Sequence, residues 1–279
     1  MNRAIAIKEA ASYFAITLGA SFFLFWGPLA LFHVPTISFV SQVRGPWWAI
    51  SLFLVGGFVP SLTGLFLTWK WEGPEGLRRL GHRIIHFNIG WLWYLTIVGI
   101  ILFIFAGEVI ISRLVTGDTF DLTLFIKQLG SFLPLIVIGP LSEELGWRGY
   151  AQDRLQKIFD PIFSSVILGI LWALWHLPLF YMVGTAQYEL GLPFLPFLFS
   201  LAALSIGYGW LHSNTGRSIW TAIFFHWIFT YFSQVVSSGT NQTLLFSWLK
   251  CIPYMIVAGL VIAMWKSRHQ PEWTKAPAE

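Results

Sequence analysis

Between Ala10 and Val43 the sequence contains no Asp, Glu, Lys or Arg, and between Trp47 and Trp69 it contains none again. Each run holds the roughly 20 apolar residues that carry a helix across a bilayer. Lipid offers the backbone no hydrogen bonds, so such a run must satisfy its own as an α-helix. The rest of the chain agrees: 56% of residues are hydrophobic, 11% are charged and the mean hydropathy is +0.68, against about 45–50% and about 25% in soluble domains. The expectation is an integral membrane protein of all-α class, a polytopic bundle of about eight transmembrane helices with short amphipathic surface helices. At 279 residues there is no room for a separate soluble domain, so residues 1–279 read as a single membrane domain.

In chain order the spans are expected at Ala11–Phe32, Trp47–Trp69, Trp91–Ile111, Gly130–Tyr150, Pro161–Met182, Leu192–His212, Ser218–Val236 and Leu244–Trp265. Lys70–Asn88, with Leu77, Leu80, Ile84 and Ile85 at helical spacing among charges, reads as an amphipathic helix on the membrane surface. Glu108 reads as an interfacial carboxylate, Cys251 as a buried bystander, and Lys266–Glu279 as a polar tail. The first apolar run is far longer than the roughly 7–15 residues of a signal peptide's core and reads as a retained span.

The net charge of +4 does not point to nucleic acid, because the basic residues lie between apolar runs, where they encode topology. Arg44, Arg113, Lys127 and Lys250 fall on one side, and the other 13 of the 17 fall on the side of the termini. Both termini are therefore expected in the cytoplasm, with the protein in the cell membrane. A single cysteine allows no disulfide framework and no cysteine metal site.

Against this background Leu141-Ser142-Glu143-Glu144-Leu145-Gly146-Trp147-Arg148 stands out. Ionisable groups at a membrane span usually face a polar cavity and serve function. On a helix Glu143 and Glu144 point about 100° apart, so they cannot share one task. Glu144 stands i,i+4 from Arg148 in the favourable order for an ion pair, which leaves Glu143 as the chemical carboxylate, a candidate general base on water. His176 and His226 occupy two later spans. Pro140 and Pro178, which cannot donate helical hydrogen bonds, should kink the chain beside Glu143 and His176. Counted from Arg148 and Arg217 at about 1.5 Å per residue, Glu143 and His226 lie roughly 8 and 14 Å deep, whereas His176 counted from Asp160 lies roughly 24 Å deep. Thr230 is one turn beyond His226, and its hydroxyl is expected to bond back to the carbonyl of His226 or Trp227. Taken singly, an intramembrane His is explained by helix packing and a Glu pair by a solvated helix end. Taken together, the set is hard to explain as packing.

The order Glu-Glu-x-x-x-Arg, then aromatic-x-x-x-His, then a second His with a small residue four positions on resembles the CPBP family, the CAAX-protease and bacteriocin-processing (Abi) intramembrane endopeptidases. The resemblance spans roughly Leu133–Phe232, within a motif-bearing core of about 130–236. It implies a cavity open to the cytosol, in which Glu143 with His176 activates water and His226 stabilises the oxyanion, with Glu144 and Arg148 completing the first motif. Trp172 stands where the pattern usually has Phe, and Thr230 where it often has Asn. The implied activity is an intramembrane endopeptidase acting near the cytoplasmic face on a peptide or protein substrate in or near the lipid bilayer. No cofactor is expected, with the same His and Glu as zinc ligands the mechanistic alternative. A non-proteolytic scaffold, immunity protein or binder using the same cavity is the functional alternative.

Overall fold

The computed structural model describes residues 3–38, 44–118, 120–238 and 242–268. The expected polar tail beyond Arg268 lies outside the described residues. Helix α1 spans Arg3–Leu31 and contains a π-helical turn at Ser21–Phe25; α2 spans Trp47–Ile84 and α3 Trp91–Val115. Helix α4 occupies 142–155, assembled from Ser142–Gly146, a π-helical turn at Trp147–Ala151, and Gln152–Leu155. Helix α5 spans Pro161–Trp175, α6 Phe194–Asn214, α7 Ile219–Val236 and α8 Leu244–Trp265. The protein is an all-helical polytopic membrane bundle. Among the described residues six helices, α1, α2, α3, α6, α7 and α8, are long and apolar enough to cross a membrane.

The other two expected spans are built differently. Gly130–Tyr150 is not one helix: Pro134–Ile136 forms a 3₁₀ turn, and Ile138 (φ −92°, ψ 98°) and Gly139 (φ 115°, ψ −87°) leave helical geometry altogether. Glycine reaches that positive φ without the Cβ clash other residues meet, and Pro140 next to it supplies no N–H to resume the ladder. Helix α5 starts sharply, with the Asp160 side chain accepting from the Ile162 and Phe163 backbone N–H groups and Pro161 at its first position. It ends after 15 residues, and Leu177–Phe180 continues as a 3₁₀ turn around Pro178. The prolines thus break the chain beside both ionisable groups rather than merely bending it.

The amphipathic segment begins later than expected. Lys70–Glu72 still belong to the straight part of α2, which breaks at Gly73 (φ 67°) before Pro74. Beyond it Leu80 is buried against Ile219 and Ile223 of α7, so this segment docks one face on the bundle.

Close approach between helices depends on glycine. Gly146 of α4 lies against Gly64 of α2: a Cβ on Gly146 would come 2.1 Å from the Pro60 carbonyl oxygen, and one on Gly64 2.9 Å from the Gly146 Cα. Small residues let membrane helices pack backbone to backbone. Around this contact lies a core rich in fully buried aromatics, including Tyr13, Trp147, Tyr150, Trp172 and Trp175.

Candidate active site

The chain break at 138–139 places α4 so that its first turn carries Ser142, Glu143 and Glu144, all buried. Ser142 secures the break, its hydroxyl donating to the Gly139 carbonyl and accepting from the Gly139 N–H, both at 3.0 Å. Ser61 of α2 donates to the Leu141 carbonyl at 3.0 Å.

The two glutamates have separate surroundings. Glu144 is fully buried, and Arg148 Nη1 lies 3.0 Å from both of its oxygens. Its Oε1 also accepts from His226 Nδ1 at 2.7 Å. The Arg148 guanidinium sits between two rings, 4.0 Å from the centroid of Tyr208 and 4.6 Å from that of Trp172, where cation–π attraction adds to the ion pair. The i,i+4 pairing expected for Glu144 is therefore present, and α4, α6 and α7 meet at it.

Glu143 accepts two indole hydrogen bonds on Oε2, from Trp172 Nε1 at 2.6 Å and Trp147 Nε1 at 3.3 Å. Its other oxygen faces open space: a Cβ placed on Gly139 would lie 4.0 Å from Glu143 Oε1 and 3.6 Å from His226 Nε2. This space belongs to a cavity of about 240 Å³ lined by Glu143, His176, His226 and Thr230 among largely apolar side chains. A carboxylate that accepts two donors on one oxygen and keeps the other toward a cavity is oriented to act on something held there.

His176 Nδ1 lies 2.8 Å from the Trp172 carbonyl, and His226 Nδ1 faces a carboxylate. Both partners are acceptors, so Nδ1 carries the proton in each ring and Nε2 is left for the cavity. Among the described residues no hydrogen bond joins Glu143 directly to His176; they meet across the cavity. The depth mismatch expected for His176 dissolves because Arg148, fully buried, is no interfacial anchor. Counted from the exposed Lys157 and Asp160, Glu143 and His176 lie about 21 and 24 Å along their segments.

Two further expectations change. The Thr230 hydroxyl makes no hydrogen bond back to its own helix, and among the described residues it has no hydrogen-bond partner; it lines the cavity instead. Glu108 does not face the surroundings: it is buried, accepts from the Tyr254 hydroxyl at 2.6 Å, and lines a second cavity of about 280 Å³ that shares Phe197, Phe229 and Thr230 with the first. Cys251 is buried, as expected.

The sequence did not single out Trp147 and Trp172 as partners of Glu143. The signal was available: Trp147 stands i+4 from Glu143 as Arg148 does from Glu144. Trp172 is not a neutral replacement for Phe, since only an indole can donate this bond. Among the described residues no group of three or more His, Cys, Asp or Glu side chains is placed to hold a metal ion.

The fold and the site define an integral membrane protein with a buried carboxylate and two imidazoles around one cavity. Residues 125–232 match the family described as Type II CAAX prenyl endopeptidase Rce1-like. Over 101 residues, 34% of this chain and 36% of the relative, the sequence is 37% identical to CAAX prenyl protease 2 of Methanococcus maripaludis. Over 114 residues, 39% of this chain and 29% of the relative, it is 28% identical to lysostaphin resistance protein A of Staphylococcus haemolyticus. The chain thus spans about a third of the length of these curated relatives. The resemblance read from the motifs is borne out to this extent: residues 125–232 match a CAAX prenyl endopeptidase family model.

Proposed function

We propose that the protein is an intramembrane endopeptidase of the glutamate type that hydrolyses a peptide bond of a peptide or membrane-anchored protein substrate. The observation that carries this reading is the Glu143 carboxylate, anchored on one oxygen by two indoles while the other faces a cavity shared with His176 and His226. Water held between Glu143 Oε1 and His176 Nε2 gives a proton to Glu143 as its oxygen attacks the scissile carbonyl. The oxyanion that forms is met by the His226 ring and by the Thr230 hydroxyl. Collapse of the tetrahedral intermediate breaks the C–N bond, and the proton on Glu143 passes to the departing amine. Glu144 and Arg148 hold His226 in place.

In this reading the motif-bearing core of about 130–236 carries the site, the termini face the cytoplasm, and cleavage occurs toward that side of the cell membrane. The relative named CAAX prenyl protease 2 and the matched family favour a substrate of the CAAX type. The two adjoining cavities offer apolar room for the substrate beside the reacting bond. The reaction as drawn uses no metal, because Glu144 is committed to Arg148 and His226. The match to lysostaphin resistance protein A keeps the second reading, a binding or resistance function without proteolysis, on the table for the same cavity.

The test is hydrolysis of a membrane-presented peptide library by purified protein, with Glu143→Ala as control. Cleavage lost in the control and unaffected by a chelator supports the reading. Absence of cleavage in the unmodified protein favours the binder, and loss to chelator with recovery on zinc would replace the glutamate mechanism by a metal one.

A further inference from the structure

Away from the catalytic cavity, a polar pocket of about 250 Å³ lies between α2, α4 and the turn leading into α7. Five cationic side chains line it, Arg79, Arg83, Arg154, Lys157 and Arg217, against two acidic ones, Glu72 and Asp153. The acids are already occupied. Glu72 accepts from Arg79 Nη2 at 2.7 Å and from Arg154 Nη2, and Asp153 from Arg83 Nη1 at 2.7 Å and His212 Nε2 at 3.2 Å. Arg154 also pairs with Glu9 and Arg79 with Glu75, which leaves a net positive charge around the concavity. The surplus is carried by exposed Lys157 and by exposed Arg217, whose nearest acid contact is 3.8 Å from Asp153.

A second feature borders the same place. Thr68 lines the pocket, is 3% exposed, and its hydroxyl has no hydrogen-bond partner. An unpartnered buried hydroxyl costs free energy unless a ligand completes it. Trp69 and Trp71, next in sequence to the lining residues Thr68 and Glu72, are exposed, and aromatic side chains of this kind favour the headgroup region. Arg83 reaches from it to the Arg148 and Gly149 carbonyls, each at 3.4 Å.

We propose that this pocket is a binding site for a phosphate group, with Lys157 and Arg217 as its ligands and buried Thr68 in its wall. Guanidinium and ammonium donors lining one concavity suit a tetrahedral oxyanion. The phosphate arrives either on an anionic lipid headgroup or as a free anion.

The test measures the melting temperature of the full-length protein in neutral detergent with dioctanoyl-phosphatidylglycerol, with the corresponding uncharged diglyceride, and with inorganic phosphate at constant ionic strength. Phosphatidylglycerol is expected to raise the melting temperature and the diglyceride is not. In Lys157→Ala/Arg217→Ala, whose replaced side chains are exposed, the affinity falls roughly thirtyfold, about fivefold per removed cation. A response to phosphatidylglycerol alone assigns the site to a lipid headgroup; an equal response to inorganic phosphate assigns it to the free anion. No response to either phosphate ligand, or a response that persists in the double variant, overturns the proposal.

Discussion

His226 Nδ1 and Glu144 Oε1 lie 2.7 Å apart, and the same oxygen is 3.0 Å from Arg148 Nη1. One carboxylate therefore fixes both the helix that carries the glutamates and the imidazole on α7. Removing one partner from a buried ion pair leaves an uncompensated charge and costs about 3–5 kcal/mol. Glu144→Gln is expected to lower both the melting temperature and the turnover. Glu143→Gln keeps an oxygen to accept the indoles and should abolish turnover while leaving the melting temperature near that of the unmodified protein. Equal behaviour of the two variants in both measurements would refute this division.

Trp172→Phe keeps the ring that packs on Arg148 and removes the 2.6 Å hydrogen bond to Glu143. A hydrogen bond to a charged group contributes about 1.5–3 kcal/mol. With only the longer Trp147 bond left to hold the carboxylate, turnover should fall about tenfold or more. Steady-state kinetics on a cleaved peptide decides it, and unchanged kcat would show that the indole does not position the base.

Because Thr230 lines the cavity and its hydroxyl has no hydrogen-bond partner among the described residues, Thr230→Val should cost a substantial part of the ~10²–10³ that one oxyanion donor contributes. Thr230→Asn should preserve or raise turnover, since an amide also donates, and His226→Ala should be nearly inactive. Valine at full activity would take the hydroxyl out of the reaction.

Asp153 lies on the last turn of α4, outside the membrane-crossing helices. Burial pushes its carboxyl up, but the hydrogen bond from His212 and the charges of Arg83 and Arg217 outweigh that and hold it well below the usual carboxylate range. A carboxyl lowered in the folded state stabilises the fold above its unfolded pKa of about 3.9, and that contribution is lost as the pH falls below this value. The melting temperature should therefore drop as the pH falls below about 4. Asp153→Asn should lower it at neutral pH and flatten the acid limb, as thermal melts across a pH series would read.

Much of this arrangement was legible in the sequence because membrane spans announce themselves by the absence of charge, and Glu144 and Arg148 by helical spacing. What escaped was what no one-dimensional period carries. The non-helical turn at Ile138–Gly139 sits inside an apolar run that reads as a continuous span. The Asp153–His212–Arg83 cluster joins residues from three elements, and His212 was visible only as the end of a span. The unbonded Thr230 hydroxyl depends on a cavity that a sequence does not display, and the docking of Leu80 on α7 on a break at Gly73 that also sets where the surface segment begins.

The break at Gly139 has a consequence for charge. Because the helix restarts at Ser142, both glutamates fall in its first turn, where aligned peptide dipoles present roughly half a positive elementary charge. An uninterrupted span would place the same two carboxylates in mid-helix, with no such field beside them. The glycine–proline step thus creates a positive pole inside the bundle where two anions must reside.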